Sequence, residues 1–460
     1  LWVARRFAPE ERIFFPHELD FRGRVYPIAV FGPSPQGSDW QKALIHFADA
    51  KPLGLQGWRW LMIHIANLFG VDKISFEERV QWVVENTDRL LDSGENPLDG
   101  ARFWTEADSP YCALAACIEF AEAMRMDDPT QYESRIPVAL DGSCSGLQHF
   151  SAMLRDEEGG RTVNLLPVEK PADVYMAVAS KAQEIADATP TITYEDAEGI
   201  ERTIPNPWKN GKVGRKIAKR PTMTYCYSAT RFGMQQMTHQ TLKELDRELE
   251  ANGEQPYLGG VDNYHAAMWL SHVLYKAIRL TIKSAAAAMD WLRDAAMVAA
   301  KADLPLWWET PMGLPILQEY KKQKGKRIDT HWAGSRLQVV VQVDEEKIDS
   351  RSQANGVAPN FVHSLDASHL QAVAAQGRRE GIMHLAMIHD SFGTHACDTD
   401  KLSRILRETF IEQYKGDVLG DFYEQLKEQL GEDLAAQLPK PPKHGTLDLN
   451  EVLNASYTFA

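Results

Sequence analysis

The stretch Ala139-Leu-Asp-Gly-Ser-Cys-Ser-Gly-Leu-Gln-His149 sets one aspartate directly after a short apolar run, Ile136 to Leu140, and directly before a Gly/Ser-rich turn. Far downstream, His389-Asp-Ser391 follows a second such run, His384 to Ile388. Both runs read as strands, so Asp141 and Asp390 are expected at neighbouring strand ends. Two carboxylates so placed can share a pair of Mg²⁺ ions about 3.5–4 Å apart, which suits in-line phosphoryl transfer. Taken singly, the signals are weak. Aspartate is an ordinary turn residue, and a lone His-Asp-Ser tripeptide carries little information. Their order around a basic segment containing Arg215, Lys219 and Tyr227 points to nucleotidyl transfer.

Working outward, 460 residues suffice for two or three domains, and 44% hydrophobic with 25% charged is an ordinary soluble composition. No uninterrupted apolar run approaches a membrane span, since the alanines from Ala285 to Ala288 are flanked by Lys283, Asp290 and Arg293. The chain opens at Leu1 with neither methionine nor an apolar signal core, and is expected to be a piece of a longer protein. Cys112, Cys117, Cys144, Cys226 and Cys397 have no zinc or disulfide spacing and read as reduced thiols. A net charge of −14 argues at first against a polyanion partner. Yet from Arg202 to Lys243 there is no Asp or Glu, while Arg215, Lys216, Lys219, Arg220 and Arg231 all fall there. A charge run is often just a solvated face. The interleaved Trp208, Tyr225, Tyr227 and Phe232 favour nucleic acid over that reading.

The periodicity predicts a strand over Arg24–Phe31 and a helix over Trp58–Phe69, with a loop from Asp92 to Gly100. It predicts a helix opened by Pro171, a hairpin joining Thr191–Tyr194 to Ile200–Ile204 through Ala197, and helices over Phe232–Ala251 and Asn263–Ala302. Further helices are expected over Ser364–Glu380 and Lys401–Leu430, with Pro439–Lys443 a stiff connector. A second hairpin, Pro315–Tyr320 with Arg336–Val343, is expected to carry a cationic tip, Lys321–Arg327, suited to a DNA groove. The plainer alternative is an edge hairpin protected by lysines against aggregation.

Arg215, Lys219, Met223 and Tyr227 are spaced four apart, so a continuous helix would align them on one drifting face. Pro221 favours a kink. Such a helix could project Arg215 and Lys219 toward a triphosphate and set Tyr227 beside base and sugar. Gly142 and Gly146 let backbone approach a ligand closely.

The residues from Asp141 to Asp156 resemble motif A of the single-subunit RNA polymerases of T7-like bacteriophages. Arg215-Lys-Ile-Ala-Lys-Arg-Pro-Thr-Met-Thr-Tyr-Cys-Tyr227 resembles their motif B, and His389-Asp-Ser-Phe-Gly-Thr394 their motif C. Asp20-Phe-Arg-Gly-Arg-Val-Tyr26 and Asn360-Phe-Val-His-Ser364 are similar to segments that hold template and primer. The resemblance runs from about Phe14 to Ala460. It implies Asp141 and Asp390 as ligands of two Mg²⁺ ions, and Arg215 and Lys219 on the incoming triphosphate, with Lys219 also a proton donor to pyrophosphate. It further implies Tyr227 as the sugar sensor, Tyr175 beside the site, and His363 and Arg24 on primer–template. The hairpin would read a promoter, with Arg327, Asp329, Arg336 and Gln338 as candidates. The aromatic end, Tyr457 to Ala460, is similar to the family's C-terminal foot. Ser228 departs from the glycine of the best-known members.

The implied fold is α+β and mostly helical, a cupped right hand. Its palm, with an antiparallel sheet, would comprise residues 1–157 and 364–460. Helical fingers would span 158–363, with the specificity hairpin within 305–343, and the family's thumb and N-terminal domain are expected to be absent from this chain. The implied activity is DNA-directed RNA synthesis from rNTPs in phage transcription. Implied partners are DNA template and promoter, nascent RNA and a phage-encoded regulator. The chain itself would be monomeric, away from membranes, in the cytoplasm of an infected bacterial host. One alternative is an A-family DNA polymerase, but such enzymes place a glutamate beneath the sugar, where this chain has Gly146. The other is a catalytically incomplete nucleic-acid-binding fragment.

Overall fold

The computed structural model describes residues 2–29, 32–195 and 198–460. Helices dominate, and the strands form small antiparallel sheets of two or three members. This is the α+β class that the sequence suggests.

The central sheet has three strands in the order Ala386–Ile388, Ser391–Thr394, Val138–Asp141. Its register sets Ser391 opposite Asp141, Gly393 opposite Ala139 and Ile388 opposite Ser391. Because strand side chains alternate, Leu140 and Phe392 share one face and are buried at 0% and 1% exposure. That face packs on His369 and Phe459, whose rings lie 5.5 and 5.9 Å from Phe392. The opposite face carries small residues (Ala139, Gly393, Ala386, Ser391) and Asp141. It floors a cavity of about 470 Å³ that also exposes Lys42.

The C-terminal residues close one side of this sheet. Gly142 and Phe459 form an isolated antiparallel bridge, and the Ala460 N–H donates to the Asp141 carbonyl at 3.1 Å. Gln148, buried in the Ser145–Leu154 helix, holds the Thr458 carbonyl at 2.8 Å.

Several expected elements change at their ends. The first strand is realised only over Val25–Pro27, Val30 and Phe31 lying outside the described residues. The early hairpin forms from Thr191–Glu195 and Glu201–Pro205, with Ala197 of its turn likewise outside them. The helix expected to open on Pro171 begins at Val174, because the Asp173 carboxylate caps the Tyr175 and Met176 N–H groups. Asn263–Ala302 divides at Ile282 into Asn263–Thr281 and Lys283–Lys301. Lys401–Leu430 divides into Thr399–Gln413 and Val418–Ala435, the second capped by Asp417 on the Gly420 N–H. The helix expected from Ser364 starts fourteen residues earlier, as Ser350–Arg379, and carries Pro359 inside it. The start of the Asp92–Gly100 loop belongs to the Thr87–Glu95 helix.

A long ribbon is present, but its first strand and its tip are not where expected: Pro315–Gln318 pairs with Leu306–Glu309 in a separate sheet, not with Arg336–Val343. Lys321–Trp332 pairs with Ser335–Ile348 around a two-residue turn, Ala333 at φ 48° and Gly334 at φ 81°. Two successive left-handed residues make the tight turn that matches strand twist. The basic run Lys321–Arg327 therefore lies along the first strand, with Gly325 opposite Gln342, and not at the tip.

Candidate active site

Asp141 and Asp390 come together. Asp141 ends its strand, and Asp390 occupies the two-residue turn before Ser391, which pairs with Asp141. The Gly142 N–H reaches the Asp390 carbonyl at 3.3 Å. The turn is strained, since His389 sits at φ 55° without being glycine. Its ring is held edge-on to Tyr26 at 4.8 Å and by the Gln36 side chain at 2.9 Å.

The Asp141 carboxyl is open to the cleft yet walled by protein. That confinement raises its pKa; a hydrogen bond from Ser391 and the Lys42 charge oppose the rise, and the Asp390 charge adds to it. Mutual repulsion of this kind is what a shared cation relieves. Ser145 Oγ donates to Asp390 Oδ2 at 2.8 Å, fixing the second carboxylate from the helix that follows the first. Mg²⁺ is usually held by one or two carboxylates plus substrate phosphates, not by an all-protein cage. The pair fits that pattern, in keeping with the absence, among the described residues, of any cluster of three or more metal-ligating side chains.

The basic helix spans Arg215–Tyr225, with Pro221 inside. It ends before Tyr227, so the four-residue alignment holds for Arg215, Lys219 and Met223 and then breaks. Tyr227 follows the Cys226 cap, and Ser228 turns the chain at φ 60°. Arg215 donates through Nε to Asp173 at 2.5 Å and lies over the Tyr175 ring at 5.4 Å. Lys219, one turn on, is exposed and has no hydrogen bond or ion pair among the described residues, leaving its ammonium available. Its neighbours Lys216 and Arg220 are paired with Glu248 and Glu244.

Tyr227 packs between the two halves of the site. Its ring is 4.5 Å from His363, and a Cβ built on Gly146 would lie 3.4 Å from its hydroxyl and 3.2 Å from Cys226 Cβ. Burial, with the nearby Cys226, Asp366 and Asp390, raises the Tyr227 phenol well above its ordinary value, so it stays protonated. Burial next to Arg24 and Arg22 pushes His363 down to about 2. The neutral ring accepts from Arg22 Nη1 through Nδ1 at 2.7 Å, which leaves Nε2–H as a donor.

Arg24 is engaged inside the protein. Its Nε and Nη2 form a fork on Asp366 at 3.0 and 2.5 Å. Burial lowers the guanidinium pKa, but the Asp366 carboxylate more than offsets it, while burial pushes Asp366 up to about 6. The four hairpin candidates are not at this site. They lie on the exposed ribbon, where Arg336 and Gln338 both donate to Asp329, at 2.9 and 3.2 Å, and Arg327 faces Val340 across the strands.

Sequence reasoning missed Ser145, Ser391, Asp173, Arg22, Asp366 and Lys42. Ser145 and Ser391 stand inside the quoted motifs, and Asp366 lies one helical turn beyond His363. Their spacing could have flagged them. Lys42 and Asp173 reach the site only through tertiary packing.

Paired carboxylates on adjoining strands make a site suited to phosphoryl transfer, and similarity places the chain within that class. It belongs to the DNA-dependent RNA polymerase family, whose model it matches over residues 51–438. It is 37% identical to T7 RNA polymerase of Escherichia phage T7 over 99% of this chain and 54% of that protein. It is 38% identical to the DNA-directed RNA polymerase of Enterobacteria phage T3, with the same coverage. DNA-directed RNA polymerase 1, mitochondrial, of Arabidopsis thaliana is 37% identical over all of this chain and 45% of its own length. The chain thus spans about half the length of these curated relatives.

Proposed function

We propose that this chain carries the catalytic portion of a DNA-directed RNA polymerase, joining rNTPs to an RNA 3′ end on a DNA template. The observation that carries the reading is the convergence of Asp141 and Asp390 on neighbouring strands of one sheet. In the right-hand arrangement, residues 1–157 and 364–460 serve as palm and 158–363 as fingers.

Asp141 and Asp390 would hold two Mg²⁺ ions, which when bound polarise the attacking and leaving oxygens. The rest falls to the protein. Arg215, steadied by Asp173 and Tyr175, and the unpaired Lys219 bind the triphosphate. Lys219 would also pass a proton to the departing pyrophosphate. Cys226 and Tyr227 pack against Gly146, so no side chain projects there to exclude a ribose 2′-hydroxyl. Neutral His363 offers Nε2–H to an acceptor in the minor groove of the primer–template. Arg24, forked on Asp366, positions the Asp20–Tyr26 segment from which Arg22 reaches His363.

The ribbon is the promoter reader in this account, with Arg327, Arg336 and Gln338 toward base edges and Asp329 orienting the last two. DNA, nascent RNA and a regulator are its partners, and the phage relatives support a setting in the cytoplasm of an infected bacterium. No described helix is long and apolar enough to cross a membrane.

A preassembled RNA–DNA scaffold with Mg²⁺ tests the reading. Extension with rNTPs is expected, and loss of at least 10³-fold in Asp141→Asn or Asp390→Asn, in line with removal of transition-state charge stabilisation. Faster use of dNTPs would overturn the RNA assignment, and no extension at all would leave a binding fragment.

A further inference from the structure

Beyond the end of the basic helix lies a second, smaller cavity of about 260 Å³ that the catalytic reading does not use. Arg231, Arg293 and Arg351 line it, from three different helices. All three are exposed, and none has a hydrogen bond or ion pair from its side chain among the described residues. The one acid on the wall, Asp290, is already forked by Arg279 at 2.6 and 3.2 Å. Three guanidinium groups with no acid partner line one concavity, and their planar forks match phosphate oxygens. The chain's net charge of −14 makes such a local excess more telling.

The position names the anion. Ser228 lines the same cavity and directly follows Tyr227, so the turn at φ 60° separates the nucleotide side from the arginine side. Arg215 and Lys219 grip the triphosphate roughly 10 Å back along the helix, at 1.5 Å per residue. On the proposed reading, the base of a nucleotide held there would lie toward Tyr227. On that reading the strand pairing with it would continue beyond the Ser228 turn, on the side of the arginines.

We infer that the cavity lined by Arg231, Arg293 and Arg351 binds a phosphodiester group of the single-stranded DNA template next to the templating base. The inference rests on the polymerase reading for its choice of strand. The arginines would hold that group by charge-assisted forks, without reading sequence.

Equilibrium binding of the whole chain to two RNA–DNA scaffolds tests this, one with a template overhang of about five nucleotides and one flush at the RNA 3′ end. In the triple variant Arg231→Gln/Arg293→Gln/Arg351→Gln, affinity for the overhang scaffold is expected to fall at least tenfold. Its log–log salt slope should become shallower by about 0.7, the amount for one single-strand phosphate no longer neutralised. Binding to the flush scaffold should change less than twofold. Neutral methylphosphonate linkages in the overhang should weaken the wild type and leave the triple variant unaffected. Single variants give the same comparison should the triple variant fold poorly. Equal loss on both scaffolds marks a general basic surface and overturns the site, as does wild-type binding by the triple variant. If overhang preference depends on the arginines but no RNA is extended, the polymerase reading fails and the phosphate site stands.

Discussion

Ser228 holds φ 60° at the turn between Tyr227 and the arginine cavity, a conformation that costs an L-residue about 1–2 kcal/mol relative to glycine. Ser228→Gly is therefore expected to stabilise the fold by about 1 kcal/mol after glycine's own entropy cost, and Ser228→Val to destabilise it by more, as read from denaturant midpoints. Gly146 is the complementary case. Any Cβ there is already 3.2 Å from Cys226, so a long acidic side chain must enter the space beneath Tyr227. Gly146→Glu should cut kcat/KM for rNTPs by at least 100-fold and that for dNTPs by less. An equal loss for both would show that Gly146 serves only packing. At this scale the sequence was most legible where chemistry is concentrated in short strings: Asp141 and Asp390 meet at adjoining strand ends, and Tyr227 packs beside Gly146 of the helix that follows Asp141. It was least legible for Arg24. The resemblance implies a primer–template contact there, and nothing in its periodicity pairs its fork with a carboxylate 342 residues away.

Among elements, the ribbon stands most apart. From Gln323 to Lys347 nearly every residue is exposed, and burial returns only at Ile348. Replacing residues 323–346 with a short Asn-Gly turn should shift thermal unfolding by no more than a few degrees. It should leave scaffold extension within about threefold of the intact chain and abolish sequence-specific initiation wherever a longer form provides it. Loss of scaffold extension would instead tie the ribbon to catalysis. The sequence announced this hairpin through its valines and lysines, but the glycine in the basic run drew the turn to the wrong place. Ala333-Gly334 is a weaker turn signal than Asn-Gly, and what fixed it was the register of ten successive cross-strand pairs. Helix ends were misread for a related reason. Asp173 and Asp417 act as caps through side-chain bonds to N–H groups two or three residues on, a local chemistry that outranks hydrophobic spacing.

For the molecule as a whole, the packed interior around the site is rich in imidazole. Burial holds His64 and His369 at about 4 and His363 at about 2, with His149 also depressed. Groups with lowered folded-state values bind protons more readily when unfolded, so stability is full above pH 6.5 and lost as pH falls below it. Each histidine held near 4 contributes a loss of about 3 kcal/mol by pH 4. Asp366, raised to about 6, and Asp141, Glu119 and Asp421, also raised by burial, work in the opposite direction, but His239, His389 and His395 are depressed alongside the other four imidazoles. Unfolding free energy measured from pH 7.5 to 5 should therefore decline on acidification, and His369→Gln should flatten the curve. A profile that rises toward pH 5 would contradict the burial of these rings. One consequence follows from the carboxylate sheet itself. Ser145 and Asp390 meet across 245 residues, a loop closure costing about 5 kcal/mol in chain entropy before any contact repays it. Any translation product that ends before Asp390 lacks one of the two carboxylates this sheet brings together, so the paired site exists only in chains made past that turn.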